Sequence, residues 1–131
     1  MIFPALLLAA ATPACTVTDG DTIRCGPKAE AGKQTYERIR LTGIDAPEKR
    51  GQCRKGRTCA PGDPVASALS LRVAMASKPI TIRRLGTDRY GRTLAVVYAG
   101  RTNLACHQLR HGHAIYIPRW DNGGIIRKEC R

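Results

Sequence analysis

The stretch Arg40-Leu-Thr-Gly-Ile-Asp45-Ala-Pro-Glu48 decides how the rest of the sequence is interpreted. Residues 34–44 alternate well enough between polar and apolar side chains to predict a β-strand, and Gly43 with Pro47 ends it. One arginine and two carboxylates therefore cluster at the end of one strand. Because the chain as a whole is strongly basic, grouped carboxylates need a chemical explanation, and a bound cation supplies one.

Two other segments carry similar side chains. Asp19-Gly-Asp21-Thr22 precedes the strand, and Asp88-Arg-Tyr-Gly-Arg92 follows much later. Together the three segments provide carboxylates for a divalent cation, a further carboxylate to activate water and arginines to hold a phosphate, which is the equipment for phosphodiester cleavage. The Asp-Gly pair also predicts a β-hairpin that joins residues 17–19 to residues 22–25.

Length and charge limit the possible functions. The chain has 131 residues, enough for one domain and one core. It carries 22 Lys and Arg against 10 Asp and Glu, a formal charge of +12 spread from Arg24 to Arg131. This excess favours a polyanionic partner such as nucleic acid, although membranes and cell-wall polymers also attract basic surfaces.

The first residues are typical of a signal peptide. Residues 1–14 contain no charge, a short apolar run and then small residues suited to signal-peptidase cleavage, although the usual basic start is missing. The run is too short to span a membrane. We therefore expect a single mature domain, residues 15–131, that is secreted or periplasmic, with a lipoprotein anchored through Cys15 as the alternative.

Six cysteines agree with an oxidising compartment. Cys15 and Cys25 lie equally far from Gly20, so the hairpin would place them opposite each other as a disulfide. Cys53 and Cys59 close a basic loop, and a disulfide there is favoured over zinc because no second ligand pair lies nearby. Cys106 and Cys130 remain as the third pair.

The other elements follow from capping and periodicity. Asp63-Pro64 predicts a helix that continues to about Ser77, and residues 80–85 and 93–98 predict a second hairpin. Thr102 or Asn103 caps a second, short helix that runs through Arg110 and is terminated by Gly112. The order β-β-β-α-β-β-α predicts a mainly β fold with helices (α+β), a five-stranded barrel of the oligonucleotide-binding (OB) type.

The three motifs, in this order and with a helix between the second and the third, resemble staphylococcal nuclease and its thermonuclease relatives over about residues 15–117. The resemblance implies a Ca²⁺-dependent nuclease that cleaves DNA and RNA at the P–O5′ bond, leaves 3′-phosphates and prefers single-stranded or breathing regions. Thermonucleases usually continue into a further helix, and the sequence after Trp120 gives no sign of it.

Oxygen ligands without a thiolate or imidazole point to Ca²⁺ at Asp21 and Asp45. The resemblance assigns the same pair to calcium, with the Ala46 backbone carbonyl as a further ligand. Glu48 could hold the attacking water, and the resemblance makes it the general base. Arg40 and Arg92 match the two arginines that bind the phosphate.

Four residues receive supporting roles. By resemblance, Arg89 and Tyr90 contact a nucleotide phosphate. Trp120 either stacks on a base or covers the core. Asp19 supports the metal ligands or simply forms the turn.

Two alternative functions stay open: a nucleic-acid-binding module of the same fold that does not cut, and a cationic membrane-active protein. A pure binder has no need of Asp21, Asp45 and Glu48, and a membrane-active protein has no need of clustered carboxylates. His107 and His111 lie four apart, but Gln108 stands where a zinc protease needs glutamate, so they are assigned no metal. We expect a monomer.

Overall fold

The computed structural model describes residues 14–26, 36–49, 53 and 56–131. Residues 1–13 of the predicted signal peptide and residues 34–35 of the predicted third strand lie outside the described residues. The chain forms a mixed α+β fold. Its strands are β1 (Cys15–Asp19), β2 (Thr22–Cys25), β3 (Glu37–Leu41), β4 (Ile44–Asp45), β5 (Ile80–Thr87), β6 (Thr93–Ala99), β7 (Thr102–Asn103) and β8 (Ile115–Tyr116).

Three helices accompany the strands: α1 (Pro64–Met75), α2 (Leu104–Arg110) and α3 (Ile125–Glu129), with short 3₁₀ turns at Pro118–Trp120 and Asn122–Gly124. Helix α1 begins as predicted, because the Asp63 side chain accepts a hydrogen bond from the Val65 N–H. Asn103 caps α2 through the Cys106 N–H in the same way. None of the helices in the described part of the chain is both long and apolar enough to cross a membrane.

The main sheet has the strand order β1-β2-β3-β6-β5, with β7 paired to β6. Strands β3 and β6 are parallel, and the other pairs are antiparallel. Strands β4 and β8 form a separate small sheet. A closed OB barrel would require β1 to pair with β5 as well. The pairing of the described strands leaves the sheet open, so the five-stranded barrel stays a prediction.

Two predictions from the sequence need correction. The predicted third strand does not continue to Ile44: it ends at Leu41, because Gly43 adopts a φ of +78° that turns the chain before the short strand β4. The C-terminal helix that the sequence seemed to lack is present as α3, five residues long. Its buried Ile126 packs into the core, and the Cys106–Cys130 disulfide joins its end to α2.

The core lies between the sheet and the helices. Its largest fully buried apolar side chains are Ile23, Ile39, Leu41, Ile44, Leu71, Val96, Val97, Leu104 and Ile126. The six cysteines pair as Cys15–Cys25, Cys53–Cys59 and Cys106–Cys130, the same pairs that the sequence predicts. Cys15 and Cys25 are direct partners in the β1–β2 register, as expected for a hairpin disulfide.

Candidate functional site

The three charged segments meet in one groove of about 710 Å³. The charged and aromatic side chains that line it are Asp19, Asp21, Arg38, Arg40, Asp45, Glu48, Arg57, Asp88, Arg89, Tyr90, Arg92, Arg119 and Trp120. The groove therefore combines acidic and basic groups, with Asp21 and Asp45 at its buried end.

Asp21 lies at the tip of the β1–β2 hairpin and is only 6% exposed. Its Oδ1 accepts from the Thr22 hydroxyl at 2.9 Å, and its Oδ2 accepts from the Ala46 N–H at 2.8 Å. The Asp21 N–H donates to Asp19 Oδ1 at 3.1 Å, so Asp19 shapes the turn. These bonds fix the Asp21 carboxylate against the segment that carries Asp45.

The hairpin tip is also fixed from behind, by a residue whose role the sequence did not reveal. Gln108 of α2 is fully buried, and its Nε2 donates to the Gly20 carbonyl at 2.8 Å and to the Ser67 carbonyl at 2.9 Å. A Cβ on Gly20 would lie 1.8 Å from the Ser67 hydroxyl, so only glycine fits there. Gln108, itself on α2, thus links helices α1 and α2 to the turn that carries Asp21.

Arg40 joins the two inner carboxylates. Pairing of β3 with β2 places Arg40 beside Thr22. Its Nη1 lies 2.7 Å from Asp21 Oδ2, and its Nη2 lies 3.5 Å from Asp45 Oδ1. Arg40 is only 8% exposed, so its guanidinium group is held deep in the groove. Its two Nη atoms are directed at these two carboxylates.

Asp45 is positioned by the small β4–β8 sheet and is 2% exposed. The preceding Gly43 approaches Ile126 so closely that a Cβ would lie 2.9 Å from its Cγ1. The Gly43 N–H and the Thr42 hydroxyl both donate to the Trp120 carbonyl, at 3.2 Å and 2.8 Å. The Trp120 backbone therefore braces the turn that aims Asp45 into the groove.

Glu48 lies at the rim, three residues beyond Asp45, and its partner is Arg57. Arg57 Nη1 donates to Glu48 Oε1, and Arg57 Nη2 lies 3.1 Å and 3.2 Å from the two Asp45 oxygens. No motif in the sequence distinguishes Arg57 from its neighbours. Several basic residues occupy that loop, and only the fold shows which of them reaches the carboxylates.

Arg92 belongs to a separate turn, residues 88–92, to which Arg38 of β3 also donates a hydrogen bond at the Tyr90 carbonyl. Asp88 accepts from the N–H groups of Tyr90 and Arg92 with Oδ1, and from Arg92 Nε at 2.8 Å with Oδ2. The guanidinium carbons of Arg89 and Arg92 lie 4.9 Å and 5.5 Å from the centre of the Tyr90 ring. The turn thus presents two guanidinium groups and one exposed aromatic ring at the edge of the groove.

Trp120 lines the same groove, among arginines. The guanidinium carbons of Arg40, Arg57 and Arg119 lie 5.3, 5.7 and 5.3 Å from the centre of its ring. Such distances are within the range of cation–π attraction. The ring therefore helps to place these side chains, and its predicted stacking on a base stays a prediction.

Burial and neighbouring charges shift the pKa values of Asp19, Asp21 and Asp45 in different directions. Burial, with the Asp21 charge, raises the pKa of Asp19 to about 7. Burial also raises the pKa of Asp21, but Arg40 and the hydrogen bonds to its carboxylate outweigh it, so the pKa lies below its usual value. Burial raises the pKa of Asp45 above its usual value although Arg57 acts in the opposite direction. Asp21 is thus the most firmly ionised of the three.

The donor chemistry at the buried end of the groove fits a hard cation. Asp21 and Asp45 offer only oxygen, the ligand that Ca²⁺ prefers, and both carboxylates contact one guanidinium group. Among the described residues, no three His, Cys, Asp or Glu side chains are grouped as a metal centre. Two carboxylates would therefore need backbone oxygen, water or substrate to complete the shell.

Comparison with known proteins gives the family. The family described as staphylococcal nuclease homologue matches residues 38–125, two thirds of the chain. The chain therefore belongs to the staphylococcal nuclease homologue family.

Similar relatives include a Haemophilus influenzae protein named "Uncharacterized endonuclease", 37% identical over 109 residues, which are 83% of this chain and 53% of the relative. Proteins with the same name from Escherichia coli O157:H7 and Escherichia coli are 36% identical over 111 residues, which are 84% of this chain and 63% of each relative. The chain thus spans between half and two thirds of the length of these relatives.

Proposed function

We propose that the chain is a calcium-dependent nuclease that hydrolyses phosphodiester bonds in DNA and RNA and leaves 3′-phosphates. The observation that carries this proposal is the convergence of Asp21, Arg40 and Asp45 at the buried end of one groove, with Glu48 at its rim. Family membership and the names of the relatives support it.

The residues divide the chemistry among them. Asp21 and Asp45 would hold Ca²⁺, with the Ala46 carbonyl as a further ligand, and the ion would polarise the phosphate when bound. Glu48 would accept the proton of the attacking water at a carboxylate oxygen. Arg40 and Arg92 would bind the non-bridging phosphate oxygens, where charge accumulates during attack. The P–O5′ bond would break, the departing 5′-oxygen would take a proton from solvent water, and the phosphate would stay on the 3′ side.

The outer part of the groove would guide the strand. Arg89, Tyr90 and Trp120 would contact neighbouring nucleotides, because arginines follow phosphates and aromatic faces stack on unpaired bases. Double-stranded DNA hides its base faces, so single-stranded or breathing regions would be preferred. The formal charge of +12 would attract the polyanion over longer distances.

The proposal includes secretion or a periplasmic location, because three disulfides form stably where thiols are oxidised. Protein recovered from the medium or periplasm should begin at Thr12 or Cys15 if the predicted leader is removed. Recovery from the cytosol with Met1 retained would contradict this part of the proposal.

The decisive experiment is digestion of denatured DNA with Ca²⁺ or with excess chelator. We expect chelation to reduce cleavage by at least about 100-fold, because Asp21 and Asp45 without a cation repel the phosphate. Mg²⁺ should support less activity, since its strict octahedral geometry suits an open shell of two carboxylates poorly.

Two controls accompany this digestion. The double variant Asp21→Asn/Asp45→Asn should show the same loss with Ca²⁺ present. Full cleavage in chelator would refute the metal assignment. Tight binding of DNA without cleavage under any of these conditions would instead identify a nucleic-acid-binding module.

A further inference from the structure

Arg57 contacts two of the three carboxylates that the proposed function needs in an ionised and accessible state. Its Nη2 lies 3.1 Å and 3.2 Å from the two oxygens of Asp45, the proposed calcium ligand. Its Nη1 donates to Oε1 of Glu48, the proposed base. One guanidinium group therefore spans the pair, and the inference that follows rests on the proposed function.

The two partners differ in their access to water. The Asp45 side chain is 4% exposed, whereas the Arg57 side chain is 34% exposed. A buried carboxylate loses most of its hydration and needs a cation beside it, while an arginine at the rim can return its charge to solvent at little cost. The arrangement thus allows Arg57 to leave and be replaced by another cation.

Arg40 cannot be replaced by another cation in the same way. It is 8% exposed, and it contacts both Asp21 and Asp45 from the inner side of the groove. Moving it would require an unpaired guanidinium to stay in a buried place. Of the two arginines on Asp45, Arg57 is the one that can be exchanged for a metal ion.

A covalent constraint keeps Arg57 near the site. It lies in the loop closed by the Cys53–Cys59 disulfide, and its guanidinium carbon is 5.7 Å from the centre of the Trp120 ring. The disulfide across positions 53 and 59 limits how far Arg57 can move from the carboxylates. The released side chain therefore stays at a high local concentration beside the carboxylates and returns when the ion leaves.

We propose that Arg57 is a built-in competitor of the divalent cation: its guanidinium occupies Asp45 and Glu48 until the cation displaces it. Displacement frees the oxygens of Asp45 for the ion and releases Glu48 toward water in the same event. The groove is thereby held in an inactive charge arrangement at low calcium concentration.

Titration calorimetry with CaCl₂ and no nucleic acid tests this directly. Arg57→Gln removes the competitor, and we expect its calcium dissociation constant to fall about 10-fold, the factor expected if the contact is made about 90% of the time. Arg119→Gln is the matched control: it removes the same charge near the same tryptophan, and Arg119 makes no ion pair with any carboxylate of the described residues. Its effect should stay below about 2-fold, because an exposed charge acts through screened, long-range attraction.

A second variant keeps the test independent of charge removal. Arg57→Lys retains the charge but cannot span two carboxylates, so we expect tightening between that of the other two variants. Calcium binding by Arg57→Lys equal to that of the parent would overturn the inference, as would equal tightening in Arg57→Gln and Arg119→Gln.

The same data separate this inference from the proposed function. A parent chain that binds Ca²⁺ and cleaves DNA, with Arg57→Gln binding Ca²⁺ no more tightly, refutes the inference alone. Loss of cleavage by Arg57→Gln at saturating Ca²⁺, with unchanged Ca²⁺ affinity, would also refute it and would make Arg57 a substrate-binding residue. A parent that neither binds Ca²⁺ nor cleaves refutes both.

Discussion

The two arginines proposed to bind phosphate are held in different ways. Arg40 is buried between two carboxylates, whereas the Arg92 side chain is 28% exposed and pairs with Asp88 in its own turn. Lysine at either position keeps the charge and loses the planar fork. We expect Arg40→Lys and Arg92→Lys each to lower kcat by about 10²- to 10³-fold, as when a donor to developing charge is removed, with a smaller change in KM.

Steady-state cleavage of a short single-stranded oligonucleotide measures both constants. Arg101→Lys, an exposed arginine in the turn between β6 and β7, serves as the control and should match the parent. If Arg40→Lys and Arg92→Lys both turn over at the parent rate, the reaction takes place elsewhere on the molecule.

Individual residues also show how far sequence reasoning extends. Asp21, Arg40, Asp45 and Glu48 could be proposed because each lies in a compact motif next to a strand end. Arg57 could not, because its role depends on the path of the loop after Glu48, and Arg50, Arg54 and Lys55 have the same chemistry. Gln108 left a weaker signal, since it is polar between the apolar positions 104–105 and 109 of a short helix.

At the level of elements, helix α3 is capped by a carboxylate that lies four residues before its first residue. Asp121 is 7% exposed and accepts from the N–H groups of Ile126 and Arg127, both at 3.0 Å, and from the Tyr116 hydroxyl at 2.7 Å. Capping rules look for a cap directly before the helix. Here two glycines at positive φ, Gly123 and Gly124, fold the chain back, so the cap comes from further upstream and the helix escaped prediction.

Asp121 gives this helix a pH-dependent stability. Burial raises the pKa of the Asp121 carboxyl, but its hydrogen bonds to Ile126, Tyr116 and Arg127 outweigh burial and hold the pKa below its usual value. A depressed carboxyl pKa contributes stability above the unfolded value of about 3.9, and the contribution disappears as the pH falls through the folded pKa. Asp121→Asn should therefore lower the free energy of unfolding by about 1–2 kcal/mol at pH 7 and by less near pH 3.

Urea unfolding of parent and variant at the two pH values measures this difference. Asp63→Asn is a suitable control, because asparagine caps a helix as well as aspartate does, and its effect should stay within about 0.5 kcal/mol. An Asp121→Asn effect of the same size at both pH values would show that the carboxylate charge is not what matters.

At the level of the whole molecule, local rules gave most of the elements, whereas the sheet required long-range contacts. The hairpin, the capped helices α1 and α2 and the disulfide Cys15–Cys25 follow from neighbouring residues. The parallel pairing of β3 with β6, which brings the turn that carries Arg92 beside the strand that carries Arg40, joins residues more than fifty positions apart. No local pattern encodes that register, and closure of a barrel is equally non-local.

The Cys106–Cys130 disulfide holds the short helix α3 against the rest of the fold. Helix α3 has only five residues, too few to be stable alone, and it contributes one fully buried side chain, Ile126. The disulfide closes a loop with a sequence separation of 24 and fixes the end of α3 to α2, the helix that carries Gln108. Replacing both cysteines by alanine should lower the free energy of unfolding by about 3 kcal/mol in the chain-entropy model, with a matching fall in Tm. Cleavage at 25 °C should stay close to that of the parent, because the proposed catalytic residues all precede residue 93 and the hairpin is held separately by Cys15–Cys25. Thermal unfolding and cleavage of the same preparations measure the two effects.

The double variant Cys15→Ala/Cys25→Ala is the comparison for the Cys106–Cys130 disulfide. Its shorter loop predicts a slightly smaller loss of stability from the same chain-entropy effect. An unchanged Tm in Cys106→Ala/Cys130→Ala, or a loss of cleavage at a temperature where this variant is fully folded, would show that the tail is not held in the way described.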